Sequence, residues 1–367
     1  MMNESLGSLQ QLSNTGHREA KAKIPVLDQL IHMSPTAFRD KFSLPASIRQ
    51  FTRPADVWWA NTDEWNEEIS QKLHQDKKGG VMIGVSGGVD SALSYATIAQ
   101  PELLVLFDTN PHVINYLHYR LEMTRYFQEP SDYLQSIFPG MLNFPSLLKA
   151  KSRIDISKLI DGEDLFGRSK RMKGGFEKID AGVARIGDVS YLGTGVSIKK
   201  VIMESVINKH RWLETTSSPD RINPDGVLYS FLQNSLLNTD FWLFLKDKKN
   251  YSWVKEAYAN GRIKFAQMPI QLLGKNPLVN MLKDSSCPTV NVCYLSNTNE
   301  YLGKKDFSTL VKTLRSLPSA QEMNIIYSAG PPEMAKLGKK GSGIETAPRI
   351  RACLKTFKHI PSQFLTA

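Results

Sequence analysis

Hydrophobic positions along the chain switch between two periods. Val81 to Val85 is a short apolar run bounded by glycines, which suits a buried parallel strand; Ala92, Leu93, Tyr95, Ala96, Ile98 and Ala99 then recur at helical spacing. Asp90 or Ser91 is a natural N-cap for that helix. Leu103 to Phe107 reads as a second strand, and His112 to Phe127 as a helix with Val113, Leu117 and Leu121 on one stripe. The alternation resumes late in the chain. Tyr251 to Asn260 reads as a helix closed by Gly261, Ile263 to Gln267 and Val290 to Leu295 as strands, Phe307 to Leu317 as a helix with Leu310, Val311, Leu314 and Leu317 inward, and Asn324 to Ser328 as a further strand. Strands alternating with crossover helices predict an α/β, Rossmann-like, doubly wound sheet that is mostly parallel.

Two stretches depart from this pattern. Residues 1–80 carry Pro25, Pro35, Pro45 and Pro54 between short amphipathic pieces, then Val57-Trp58-Trp59 and a helix-like run from Asn61 to Leu73, so they read as a helical N-terminal lead-in. Residues 140–240 hold many glycines and few periodic segments, chiefly Ser197 to Asn208 and Val227 to Leu237. A stretch this long between 81–139 and 241–367, the two halves of the sheet domain, is expected to cover the ligand site as a substrate-side insertion.

Composition narrows the class. A chain of 367 residues with 41% hydrophobic residues can bury a sizeable core. No apolar stretch reaches bilayer-spanning length, and the first residues lack the hydrophobic run of a secretory signal, so no integral membrane segment and a cytoplasmic location are expected. Cys287, Cys293 and Cys353 form no Cys-x-x-Cys pair and no paired His spacing accompanies them, which argues against a disulfide framework or a metal site. His112 and His118 share a helix but miss the i,i+4 spacing that metal ligation on a helix needs. The net charge of +10 is spread along the chain. Arg168-Ser-Lys170-Arg171-Met-Lys173 is compact, but such runs are usually solvated loops, and no clustered stripe supports nucleic acid as a partner.

The chemistry concentrates after the first strand. A glycine turn there lets backbone approach a ligand, and the next helix offers its first-turn amides to polar or anionic groups. Gly84, Ser86, Gly87, Gly88 and Asp90 make up that turn, while Asp108 ends the second strand with Asn110 just beyond. A carboxylate at that strand end can take two hydrogen bonds from vicinal ribose hydroxyls. Two readings follow. Ser86-Gly87-Gly88-Val89-Asp90-Ser91 resembles the phosphate loop of ATP pyrophosphatases, implying Mg-ATP gripped by Ser86, Ser91 and the loop amides. The spacing from Gly84 to Asp108 equally suits a methyltransferase-type fold.

The segment Val105-Leu-Phe-Asp108-Thr-Asn110, followed by Tyr133-Leu-Gln-Ser-Ile-Phe138, resembles a poorly characterised family of methyltransferase-like proteins. So do Phe244-Leu-Lys-Asp-Lys-Lys-Asn-Tyr251, Gly261-Arg-Ile and Val292-Cys-Tyr294-Leu-Ser296-Asn297-Thr298-Asn-Glu300-Tyr301, in the same order and at similar intervals. The aminocarboxypropyl transferases of betaine-lipid synthesis carry a similar Ser-Asn turn. The resemblance covers roughly 80–150 and 240–330. It implies an S-adenosylmethionine-dependent transferase, most readily a methyltransferase, acting on a small molecule or a protein. In it Asp108 takes the ribose, Gly84, Ser86 and Gly88 shape the methionine end, and Gln267 accepts from the adenine amino group where the family usually has an acid. Ser296 lies on the cofactor side, while Asn297, Glu300 and Tyr301 face the acceptor, with Glu300 as a base. The plainer role for Ser296 and Asn297 is to make a turn and cap the next helix. An ATP-dependent adenylating enzyme, a 3-amino-3-carboxypropyl transferase and a nonenzymatic binding module of the same fold are the alternatives. In the methyltransferase-type sheet, Val81 to Val85 lies beside Val290 to Leu295, and Asn297 lines one cleft with Gly84 and Asp108.

Overall fold

A computed structural model describes Pro54, Val57 and residues 63–64, 67–76, 79–86, 89–137, 177, 179–187, 193–202, 204, 243–267, 270, 273, 289–296, 298, 304–315, 317, 322–329 and 350–358. Its strands are β1 (Asp63–Glu64), β2 (Val81–Val85), β3 (Leu103–Asp108), β4 (Ile263–Gln267), β5 (Val290–Ser296), β6 (Glu322–Ala329) and β7 (Ile350–Lys358). Its helices include α1 (Glu67–Gln75), α2 (Val89–Ala99), α3 (Pro111–Thr124), α4 (Pro130–Ile137), α5 (Leu243–Lys246), α6 (Lys248–Ala259) and α7 (Lys304–Arg315). The strands form one sheet in the order β1-β7-β6-β5-β2-β3-β4. All neighbours pair in parallel except β6 and β7. The fold is therefore α/β, Rossmann-like and mostly parallel, and β2 lies beside β5 as the sequence led us to expect.

Side-chain alternation divides the core into two layers. Met82, Leu104, Leu106, Val292 and Tyr294 point to one face, where they pack with α1, α2, α3, α4 and α6. Val81, Ile83, Leu103, Val105, Phe107 and Leu295 point to the other, against Leu310 and Leu314 of α7. The predicted stripes hold for the side chains that are described, and Val311 lies outside them. Val113, Leu117 and Leu121 of α3 and Leu310, Leu314 and Leu317 at α7 are all buried.

Several boundaries differ from the sequence reading for local reasons. Residues 63–64 belong to a strand rather than to a helix from Asn61, and α1 begins at Glu67. Helix α2 starts at Val89, so Asp90 and Ser91 lie within its first turn rather than capping it. Helix α6 starts at Lys248 because the Asp247 carboxylate accepts from Lys249 N at 2.8 Å, and it ends as expected near Gly261, whose φ of 69° is left-handed. Strand β7, which the sequence reading did not foresee, adds antiparallel to β6.

Described parts of the insertion lie along α3. Gly182 packs against Tyr119 and Met123 so closely that a Cβ would sit 2.6 Å from the Tyr119 hydroxyl. Asn115 Nδ2 donates to Thr194 Oγ1 at 3.2 Å, and Ile198, Val201 and Ile202 join the core. The segment Val227 to Leu237 and the helical lead-in before Pro54 lie outside the described residues. Among the described residues, no helix is long and apolar enough to cross a membrane, and no cluster of His, Cys, Asp and Glu has the makings of a metal site.

Candidate functional site

The order β5-β2-β3-β4 sets four strand ends side by side. Chain direction reverses its winding between β2 and β5, since α2, α3 and α6 cover one face and α7 the other. Open α/β sheets bind ligands in the crevice at such a switch point, outside the carboxyl ends of the strands. Here Ser86 follows β2, Asp108 ends β3, Gln267 ends β4 and Ser296 ends β5. Asp108 and Gln267 are direct register partners.

Asp108 is the charged centre of this edge. Its Oδ1 accepts from Asn110 N at 2.8 Å. Burial pushes the carboxyl up from its ordinary 3.8 to about 7, although the backbone N–H groups of Asn110 and Thr109 pull it down. Two sealed polar atoms flank it. Among the described residues, Ser86 Oγ and Gln267 Oε1 are buried without a hydrogen-bond partner, even though Gln267 Nε2 donates to Thr109 O at 3.3 Å. Leaving such an atom unpaired costs about 1 to 3 kcal/mol, so a ligand offering donors at this edge would recover energy that the protein alone forgoes.

The remaining predicted residues fall into distinct places. Gly84 is buried within β2, and its missing side chain leaves room for Leu106 and Ala92, whose atoms would lie 3.2 and 3.5 Å from a Cβ. It thus lies inside the strand, where a Cβ would press chiefly on Leu106 of β3, rather than opening a turn to a ligand. Asn110 is the N-cap of α3, its side-chain oxygen accepting from His112 N at 2.9 Å. Ser296 is buried with a left-handed φ of 49°, where the β5–β6 register skips Leu295. The Thr298 hydroxyl donates to Leu295 O and closes the same turn. Asp90 lies in the first turn of α2. Gly87, Gly88, Asn297, Glu300 and Tyr301 lie outside the described residues.

One polar side chain at this edge escapes the sequence reading. His112 stands in the first turn of α3, and its spacing to His118 speaks only to metal ligation. It is 7% exposed. Its Nδ1 is sealed and, among the described residues, unpartnered. Its position just after an acid-ended strand and an Asn-Pro helix start is the signal that marks it. No protein-family model matches the chain, and no curated protein matches it.

Proposed function

We propose that the chain is an S-adenosylmethionine-dependent transferase, most readily a methyltransferase, acting on a small-molecule or protein acceptor. The observation that carries this reading is Asp108 at the carboxyl end of β3, beside the switch point and flanked by the unpaired Ser86 Oγ and Gln267 Oε1. Asp108 would hold the ribose, Gln267 Oε1 would accept from the adenine amino group, and Ser86 Oγ would meet the methionine end. The bound sulfonium supplies an already activated carbon. What the protein adds is position, with the acceptor held near attack distance and its proton removed where needed. The family resemblance implies that the acceptor side is the turn after Ser296, with Asn297, Glu300 and Tyr301.

The ATP pyrophosphatase reading asks Ser91 for a phosphate contact. Ser91 is buried in the first turn of α2 and, unlike Ser86, is already engaged within the fold, which favours the S-adenosylmethionine reading. Calorimetric titration of the full chain with S-adenosylmethionine, S-adenosylhomocysteine and Mg-ATP separates them. We expect binding of the first two and its loss in Asp108→Ala, since each hydrogen bond to a charged group is worth about 1.5 to 3 kcal/mol. Mg-ATP binding that disappears in Ser91→Ala would reverse the assignment, and affinity for none of the three would leave a binding module. After turnover, S-adenosylhomocysteine as product marks methyl transfer, whereas methylthioadenosine marks aminocarboxypropyl transfer.

A further inference from the structure

Three sealed, unpartnered polar atoms lie on the residues at or just beyond the carboxyl ends of β2, β3 and β4: Ser86 Oγ, His112 Nδ1 and Gln267 Oε1. The first and third already have a role in the proposed site. The second has none. The polar groups around His112 on α3 are committed elsewhere. Asn110 Oδ1 is occupied with capping the helix, and Asn115 Nδ2, one turn further on, donates to Thr194 of the insertion. The insertion also brings Glu204, whose charge acts on the His112 ring. Capping and insertion contacts therefore hold the first turn of α3 in place while the imidazole nitrogen stays unsatisfied. An imidazole sealed from water in this way needs a partner, and the described residues do not supply one.

We propose that His112 is a ligand contact that reads one ribose hydroxyl while Asp108 reads the neighbouring one, so that the site selects a ribonucleoside with both hydroxyls present. The proposal rests on the cofactor reading above. A hydroxyl is the fitting occupant because it can donate to one side chain and accept from another. Asp108 ends β3 and His112 stands in the first turn of α3, on either side of the two-residue connection Thr109-Asn110, and a vicinal diol offers one hydroxyl to each. Burial lowers the His112 imidazole below its ordinary 6.5, with Glu204 pulling the other way, so the ring is neutral near pH 7 and able to accept.

The test is calorimetric titration of the full chain with S-adenosylhomocysteine and with its 2′-deoxy and 3′-deoxy forms, for wild type, His112→Phe and His112→Asn. His112→Phe should bind S-adenosylhomocysteine about tenfold more weakly, the loss expected for one hydrogen bond. It should bind the deoxy form that lacks the His112-facing hydroxyl as well as wild type does. His112→Asn, which keeps a polar atom near the Nδ1 position, should recover most of the loss. Equal losses on all three ligands mean that His112 only packs, and unchanged binding means no contact; either result overturns the proposal while the cofactor reading stands. Wild type that binds none of the three overturns both. Should the Phe variant fail to fold, the imidazole nitrogen shifts of wild-type His112 decide: movement on adding S-adenosylhomocysteine that is lost with one deoxy form supports the contact, and no movement refutes it.

Discussion

Replacing Asp108 with asparagine should make the protein more stable and less able to bind the proposed S-adenosylmethionine, with a pH dependence that identifies the cause. In the unfolded chain the carboxyl ionises near its ordinary 3.8, and in the folded chain near 7. Between those values the folded state keeps a proton that the unfolded state has released. The stability contributed by Asp108 is thus fully present below pH 3.8, falls as the pH rises, and is gone above about 7. That interval, at about 1.4 kcal/mol per pH unit, amounts to about 4 kcal/mol. Asp108 keeps part of its surface in water, so solvent screening trims the figure to about 2 kcal/mol. An asparagine side chain there would retain a carbonyl oxygen for the Asn110 N–H and carry no charge to desolvate. Urea unfolding followed by fluorescence should give matching midpoints for wild type and Asp108→Asn near pH 4, and an advantage of about 2 kcal/mol for the variant at pH 8. A gap that stays constant with pH, or a variant weaker than wild type at pH 8, would refute the argument from burial.

Ligand binding should carry the complementary signature, because hydroxyl donors need Asp108 ionised: S-adenosylmethionine affinity should fall about tenfold per pH unit below 7 and level off above it, as calorimetry across pH 5.5 to 8.5 would show. Ser86→Ala removes a buried hydroxyl that has no partner among the described residues, so it should raise stability by about 1 kcal/mol or more yet weaken the proposed S-adenosylmethionine binding; a loss of stability would show that the hydroxyl was satisfied within the fold. Gly80→Ala places a Cβ 2.5 Å from Thr289 O at a φ of 68° and should cost at least about 2 kcal/mol in thermal or urea unfolding. Gly182→Ala pushes on the Tyr119 hydroxyl and should raise hydrogen exchange over residues 179–186 well before it affects β2 or β3; uniform exchange across both would contradict the packing described.

The parallel sheet was legible because its strands are short apolar runs whose neighbours are helices of strong period. Strand β4, Ile263–Gln267, was read residue for residue, since Gly261 marks its start and alternation marks its length. Strand β1 was not, because Asp63 and Glu64 carry no strand pattern and pair only through a partner near the other end of the chain. Gly84 shows the same limit at the site. Sequence sees a glycine before a turn, whereas a Cβ there would press on Leu106 of the neighbouring strand, which only the fold brings close. Asp108 could be picked out from its place at a strand end. The unpaired states of Ser86, His112 and Gln267 could not, because a missing hydrogen bond is defined by everything that fails to reach the atom.

The place of β7 carries a consequence for how the protein is made. It lies between β6 and β1, and β1 has no other strand to pair with among the described residues. While the ribosome is still translating, β2 to β6 can assemble their central sheet, but Asp63 and Glu64 must wait until Ile350 and Arg351 have emerged. Pairing β1 is therefore a late folding event between residues far apart in the sequence, and pairings of that separation form slowly. Until β7 joins, β6 presents a bare edge. A nascent chain stalled before residue 350 would thus hold a largely formed ligand edge alongside an open flank, the state in which chaperone capture or mispairing would matter most.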